Sequence, residues 1–97
     1  MNESQTIVHN QTEFLKYLKS KFPLIHMSNL FFRDFHYGVM SYLQEHGMKL
    51  KYQDAENVAR EVGIAFEKEG IFKRIDHQSW LLNYPEFTLP RVEKKAS

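Results

Sequence analysis

The chain reads as an α+β domain, with three helices followed by a C-terminal β-hairpin, and three features carry that reading. Apolar residues recur at helical spacing in three separate stretches before residue 70. After a glycine stop, the run Gly70-Ile71-Phe72-Lys73-Arg74-Ile75-Asp76-His77-Gln78-Ser79-Trp80-Leu81-Leu82-Asn83-Tyr84 sets an apolar strand, a polar turn at Asp76-His77-Gln78 and an aromatic strand in succession. Of the 97 residues, 42% are hydrophobic and 14% aromatic, the composition of a globular chain with one core.

Residues 1–9 read as a flexible, polar N-terminal lead, and residues 10–84 as a single domain. Asn10 is placed to cap the first helix, with Glu13 closing a capping box. Phe14, Leu15, Leu18 and Phe22 form its buried stripe, Lys16, Lys19 and Lys21 face water, and Pro23 ends it because proline has no backbone N–H to donate. Ser28 or Asn29 is expected to cap a second helix that runs to about His46 and stops at Gly47. Its stripe of Phe32, Phe35, Val39, Tyr42 and Leu43, widened by Phe31 and Met40, covers about half the circumference, more than the roughly 100° that a one-sided surface helix needs. Leu30 and Tyr37 fall on the opposite side.

Met48, Leu50 and Tyr52 alternate with Lys49 and Lys51 as in a short extended connector. A third helix is expected from about Asp54 to Gly70, buried along Ala55, Val58, Ala59, Val62 and Phe66. Ala55, Ala59 and Gly63 give it a smooth strip against which the bulky second helix would pack. After the hairpin, residues 85–97 read as a polar C-terminal tail.

Thirteen basic and twelve acidic side chains leave a formal charge of +1. A dedicated nucleic-acid binder usually carries a basic excess, since phosphate neutralisation supplies much of its affinity. Cysteine is absent, so disulfides, thiolate metal sites and cysteine nucleophiles are excluded. The polar start Met1-Asn2-Glu3-Ser4-Gln5 is unlike a secretory signal, and no apolar run nears the ~20 residues needed to span a bilayer. A cytoplasmic location is expected.

Catalytic constellations are lacking. His36 and His46 lie ~15 Å apart along one helix, and His9, His26 and His77 fall in separate segments without metal-ligand spacing. There is no Gly-x-Ser-x-Gly elbow, and four glycines are too few for a phosphate-cradling loop. Neither enzyme activity, a bound metal, a cofactor nor a small-molecule substrate is expected.

The aromatic content of Phe 8, Tyr 5 and Trp 1 exceeds what one small core requires. A hairpin of two strands has one face to bury, yet Ile71, Phe72, Ile75, Trp80, Leu81, Leu82 and Tyr84 populate both. Some of these must contact the N-terminal segment (Ile7, Val8), the tail (Phe87, Leu89) or another chain. The candidate interface with a protein partner or a second copy in a homodimer is Leu30, Tyr37, Ile64, Phe72, Trp80 and Leu81.

Ala59 through Gly70-Ile71-Phe72, then Ile75 and Trp80-Leu81-Leu82, follow the pattern in which a third helix ends in a bulky residue, charged residues, Gly and Ile before a wing. On these residues, the stretch 10–84 resembles the winged-helix superfamily. Within it, Gly38-Val39-Met40-Ser41-Tyr42-Leu43 through Tyr84 is similar to DEP domains, which dock on proteins and membranes, although Tyr42 stands nearest where that family has its tryptophan. The resemblance implies a third helix able to enter a DNA major groove and a wing that touches the backbone. From Asp54 to Glu69, however, Asp54, Glu56, Glu61, Glu67 and Glu69 stand against Arg60 and Lys68, a net of −3 on the would-be reading helix. The expected function is therefore a small non-enzymatic interaction or regulatory module that self-associates. The alternative is a winged-helix transcriptional regulator contacting DNA through Lys49, Lys51, Lys73, Arg74 and His77.

Overall fold

A computed structural model of the chain describes residues 2–88. It is an α+β fold, but the helical part starts earlier than residue 10. Residues 3–9, expected as a flexible lead, form α1 (Glu3–His9). Asn2 Oδ1 accepts the Gln5 N–H at 2.8 Å and the Gln5 side chain returns to the Asn2 N–H at 3.4 Å, a complete capping box. A seven-residue helix does not persist alone. Full burial of Ile7 sustains it.

Asn10 separates α1 from α2 (Gln11–Lys21) and turns backward: its side-chain amide donates to the Thr6 carbonyl at 2.8 Å, so the expected capping box with Glu13 is not formed. Phe14, Leu15 and Leu18 are buried as expected, and the Phe22 N–H closes the helix on the Leu18 carbonyl just before Pro23.

Asn29, expected at a helix cap, instead opens a strand, β1 (Asn29–Phe31), and α3 (Phe32–Glu45) begins directly after it. Ser28 donates its hydroxyl to the Ile25 carbonyl at 2.6 Å, closing a turn rather than capping a helix. α3 ends as expected at Gly47, where φ is +82°: the Gly47 N–H reaches the Gln44 carbonyl and the Met48 N–H the Leu43 carbonyl, a Schellman closure. α4 (Tyr52–Lys68) starts two residues before Asp54, which makes no cap. It ends in the same closure at Gly70, φ +78°, with Ile71 bonded back to Phe66.

β2 (Phe72–Asp76) and β3 (Ser79–Leu82) form the expected hairpin, tightened to a His77-Gln78 turn, with an irregularity between Arg74 and Asp76. The Asp76 carboxylate accepts the Gln78 N–H at 2.8 Å and the Ser79 hydroxyl at 3.0 Å, and these bonds hold its pKa below the ordinary value. β1 pairs with β3, Leu30 opposite Trp80, so the sheet has three antiparallel strands in the order β1-β3-β2. This third strand absorbs part of the apolar excess of the hairpin.

All four helices and the inner face of the sheet share one core. Phe35 meets Phe14, Phe72 and Trp80 edge-on, with ring centroids 5.8, 5.3 and 5.2 Å apart. Gly63, expected against the second helix, lies under the Trp80 indole instead, and a Cβ there would sit 2.8 Å from Trp80 Cζ2. Removing a helical glycine returns roughly 1 kcal/mol, whereas overpacking a core costs about 1–3 kcal/mol. The indole is rigid and held on both sides, so Gly63→Ala is expected to lower the urea midpoint. An unchanged or raised midpoint would mean that the ring yields freely.

Beyond β3 a short 3₁₀ turn, Pro85–Phe87, buries Phe87, whose carbonyl accepts the His26 N–H at 3.0 Å. The first residues of the expected tail thus belong to the fold. Residues 89–97, with Leu89 and the charged run from Arg91, lie outside the described residues.

Candidate functional site

The structure divides the six expected interface residues into three groups. Leu30, Phe72 and Trp80 are core residues, each no more than 2% exposed, which corrects their assignment to a surface. β1 covers β3 on one side and the helices cover the inner sheet face, so the aromatic strand has more neighbours than a lone hairpin offers. Leu81 is half-buried on the outer face, between Asn29 and Lys73 in register. Tyr37 and Ile64 are exposed, at 48% and 49%.

Those two sit at opposite ends of one continuous face. On α4, Tyr52, Glu56, Arg60 and Ile64 recur every four residues and so lie along one side of the helix. The first turns of α3 supply Phe32, Arg33, His36 and Tyr37 beside them, and the hairpin tip closes the side with His77 and Gln78. Between these elements runs a cleft of about 640 Å³, lined by Phe31, Arg33, Tyr52, Arg60 and His77 among others. A smaller crevice of about 110 Å³ shares Phe32, Arg60 and His77 with it and reaches Ile64. Phe31 and Tyr52, 56% and 52% exposed, were expected in a helix flank and in a connector. The four-residue spacing from Tyr52 to Ile64 is the signal that marks this face in the sequence.

The cleft brings aromatic rings together with two guanidinium groups and one carboxylate. His36 is buried, its Nε2–H donates to the Tyr52 carbonyl at 3.1 Å, and its ring lies 4.3 Å from that of Tyr52. This bond ties the first residue of α4 to α3. The Tyr37 and Tyr52 rings meet edge to face at 6.2 Å. The Tyr52 hydroxyl is held above its ordinary pKa, first by partial desolvation, then by Tyr37 and the Glu56 carboxylate, so it stays neutral at physiological pH. The Arg60 guanidinium lies over the Phe32 ring at 4.6 Å and bonds Glu56 at 2.7 Å. Among the described residues Arg33 has no carboxylate within ion-pair distance.

Of the five basic residues considered for nucleic acid, Arg74 and His77 line the smaller crevice together. Arg74 is bonded to Glu67 at 2.5 Å and lies 5.5 Å over the Trp80 ring, and Glu67 also accepts the Trp80 indole N–H at 2.6 Å. Arg74 is thus a lid on the core tryptophan. Lys73 is exposed on β2 opposite Leu81, Lys49 and Lys51 are exposed ahead of α4, and His77 alone of the five lines the cleft.

His46 and His26 hold backbone. His46 donates from Nδ1 to the Tyr42 carbonyl at 2.8 Å, with Glu13 3.6 Å from its Nε2, and His26 Nδ1 accepts the Tyr84 N–H at 3.0 Å. Among the described residues no three His, Asp or Glu side chains converge as metal ligands would, and no helix is long and apolar enough to cross a membrane. Compared with known proteins, the chain matches no family model, no curated protein and no solved structure.

Proposed function

We propose that this chain is a non-enzymatic protein-interaction module of winged-helix-like architecture, docking a partner on the face that runs from Tyr37 and Tyr52 to Ile64. The observation that carries the reading is the adjacency of exposed rings: Tyr37 and Tyr52 touch, each about half in water, and Phe31 borders the same cleft. Aromatic side chains in such positions present large area at small entropic cost, which favours their use in interfaces. The succession α2, α3, α4 and hairpin is the order on which the winged-helix resemblance rests, and it supports that part of the reading. His26, His36 and His46, engaged with backbone, favour binding over catalysis.

DNA binding draws less support. Arg74 is committed to Glu67 and Trp80, and the charge on α4 is of the wrong sign for a helix seated among phosphates.

Photo-crosslinking in cells tests the interaction reading. Benzoylphenylalanine at Tyr37 or Tyr52 is expected to give discrete protein adducts, and the same residue at Lys16, exposed on α2, is expected to give none. An adduct at twice the monomer mass would assign the face to a second copy of the chain. Smears of equal intensity from all three positions, or no adducts at all, would refute the reading.

A further inference from the structure

The geometry points to an acidic peptide segment, carrying an apolar anchor side chain, as the occupant of the cleft between α3, α4 and the hairpin tip. This rests on the reading of that face as a docking surface and goes beyond it by naming the chemistry of the partner. Three observations converge on it.

The first is charge. Arg33 and Arg60 line the cleft against one carboxylate, Glu56, and His77 adds a group that can only increase the positive charge. Arg33 is not ion-paired among the described residues. Arg60 is bonded to Glu56 through one nitrogen, and a guanidinium has five N–H donors in a planar fork, so it retains donors for a second carboxylate. Tyr52 stays neutral and contributes no opposing charge.

The second is the aromatic lining. Phe31 and Tyr52 stand more than half exposed and line a space of about 640 Å³, within the ~300–1,000 Å³ usual for ligand clefts. Rings in that setting hold an apolar side chain, while the neighbouring cations hold flanking carboxylates.

The third separates a peptide from a nucleic acid, although both are anionic. At 100° per residue, Glu56 and Arg60 lie within ~80° of Tyr52, whereas Asp54 and Glu61 lie ~160–180° around the helix from it. A chain seated in the cleft meets the Glu56–Arg60 pair, which is neutral, and the unpaired Arg33 of α3, but neither Asp54 nor Glu61. A DNA major groove about 12 Å wide takes in a whole helix and so brings phosphates against Asp54 and Glu61 as well. α4 is thus neutral toward a narrow anion, which Arg33 on α3 attracts, and repels a broad one.

The test is a titration of the ¹⁵N-labelled protein, followed by amide chemical shifts. The probes are acetyl-Glu-Glu-Leu-Phe-Glu-Glu-amide, its counterpart with lysine in place of glutamate, and a short DNA duplex. At moderate salt the acidic peptide is expected to shift Arg33, Tyr37, Tyr52 and Arg60 with millimolar or better affinity. The lysine peptide is expected to leave them unmoved, and Arg33→Glu to weaken acidic-peptide binding by about tenfold. That substitution places an acid in the first turn of α3, where the helix dipole favours it, so loss of fold does not confound it. The inference is overturned by equal shifts with the lysine peptide, by shifts confined to other surfaces, or by no shifts at millimolar peptide. Tighter binding of the duplex at the same residues would also overturn it, and so would a dimer in sedimentation that Tyr37→Ala or Tyr52→Ala dissolves. Discrete crosslinks from Tyr37 and Tyr52 with no response to the acidic peptide would sink this inference alone. Failure of both experiments would remove the docking reading as well.

Discussion

Replacing Trp80 by alanine is expected to remove about 3–5 kcal/mol of stability, a large part of the roughly 5–15 kcal/mol that holds a domain of this size together. The indole is 2% exposed and is the hub of the sheet side of the core. It meets Phe35 edge-on at 5.2 Å, lies 4.8 Å from Phe72, and rests on the bare backbone of Gly63. Its N–H is bonded to Glu67, which also takes Arg74, so the alanine variant leaves Glu67 and Arg74 lying over a void. Collapse cannot refill that space, because the floor is a helix backbone and the walls are aromatic rings. Trp80→Phe should be milder: it keeps most of the ring contact, and Glu67 retains Arg74 as a partner. The sole tryptophan is the mutated residue, so urea unfolding should be followed by far-ultraviolet circular dichroism. A loss below about 1.5 kcal/mol would place Trp80 among surface residues and would contradict its position here.

That expectation reverses what the sequence implies for the same residue, and the reason is specific. An isolated hairpin can bury one face, so Phe72, Trp80 and Leu81 on two faces look like an excess. The missing partner is β1, whose three residues lie between a turn and a helix and present no alternation long enough to read. Ser28 and Asn29 are good helix caps, and as caps they conceal a strand. The helices themselves are legible because periodicity persists over several turns: Phe14 to Leu18 on α2, Phe35 to Leu43 on α3 and Ala55 to Phe66 on α4 are buried as their spacing requires. Both glycine stops also hold, because a positive φ at Gly47 and Gly70 follows from local chain geometry alone.

The candidate site was half legible. Tyr37 and Ile64 stand opposite the buried stripes of their helices, which is enough to place them in water. Phe31 and Tyr52 depend on where the neighbouring element starts. Each falls at a boundary displaced by a strand or by two residues of helix. The surplus of rings over core is present, but Phe31, Tyr37 and Tyr52 carry it, while Phe72 and Trp80 are taken up inside. Tertiary pairing decided which aromatic side chains went where, and pairing between residues some fifty apart leaves no periodic trace.

The second large effect is expected at Ile7. Nothing in the spacing of residues 1–9 distinguishes it from a side chain on a loose lead, where Ile→Ala would change stability by no more than about 0.5 kcal/mol. In the structure Ile7 is fully buried in the same core as Phe14 and Phe66, and α1 packs on α4. Ile7→Ala is therefore expected to cost about 2–5 kcal/mol, as truncation of a buried aliphatic chain does. A surface control is available in the same helix: Gln5→Ala removes one side-chain cap and should cost at most about 1 kcal/mol. Amide hydrogen exchange distinguishes the outcomes further. If α1 is integral, Ile7→Ala accelerates exchange along α4 as well as in α1; if it is a frayed appendage, only α1 responds. The position of α1 also bears on binding. It occupies one flank of α4, where Gln11 at the start of α2 reaches Glu69 at 3.2 Å, and leaves the flank with Tyr52, Arg60 and Ile64 open. At temperatures where the Ile7 variant is still folded, its affinity for the acidic peptide should equal that of the unaltered chain. Parallel loss of stability and affinity would show instead that α1 helps to shape the cleft.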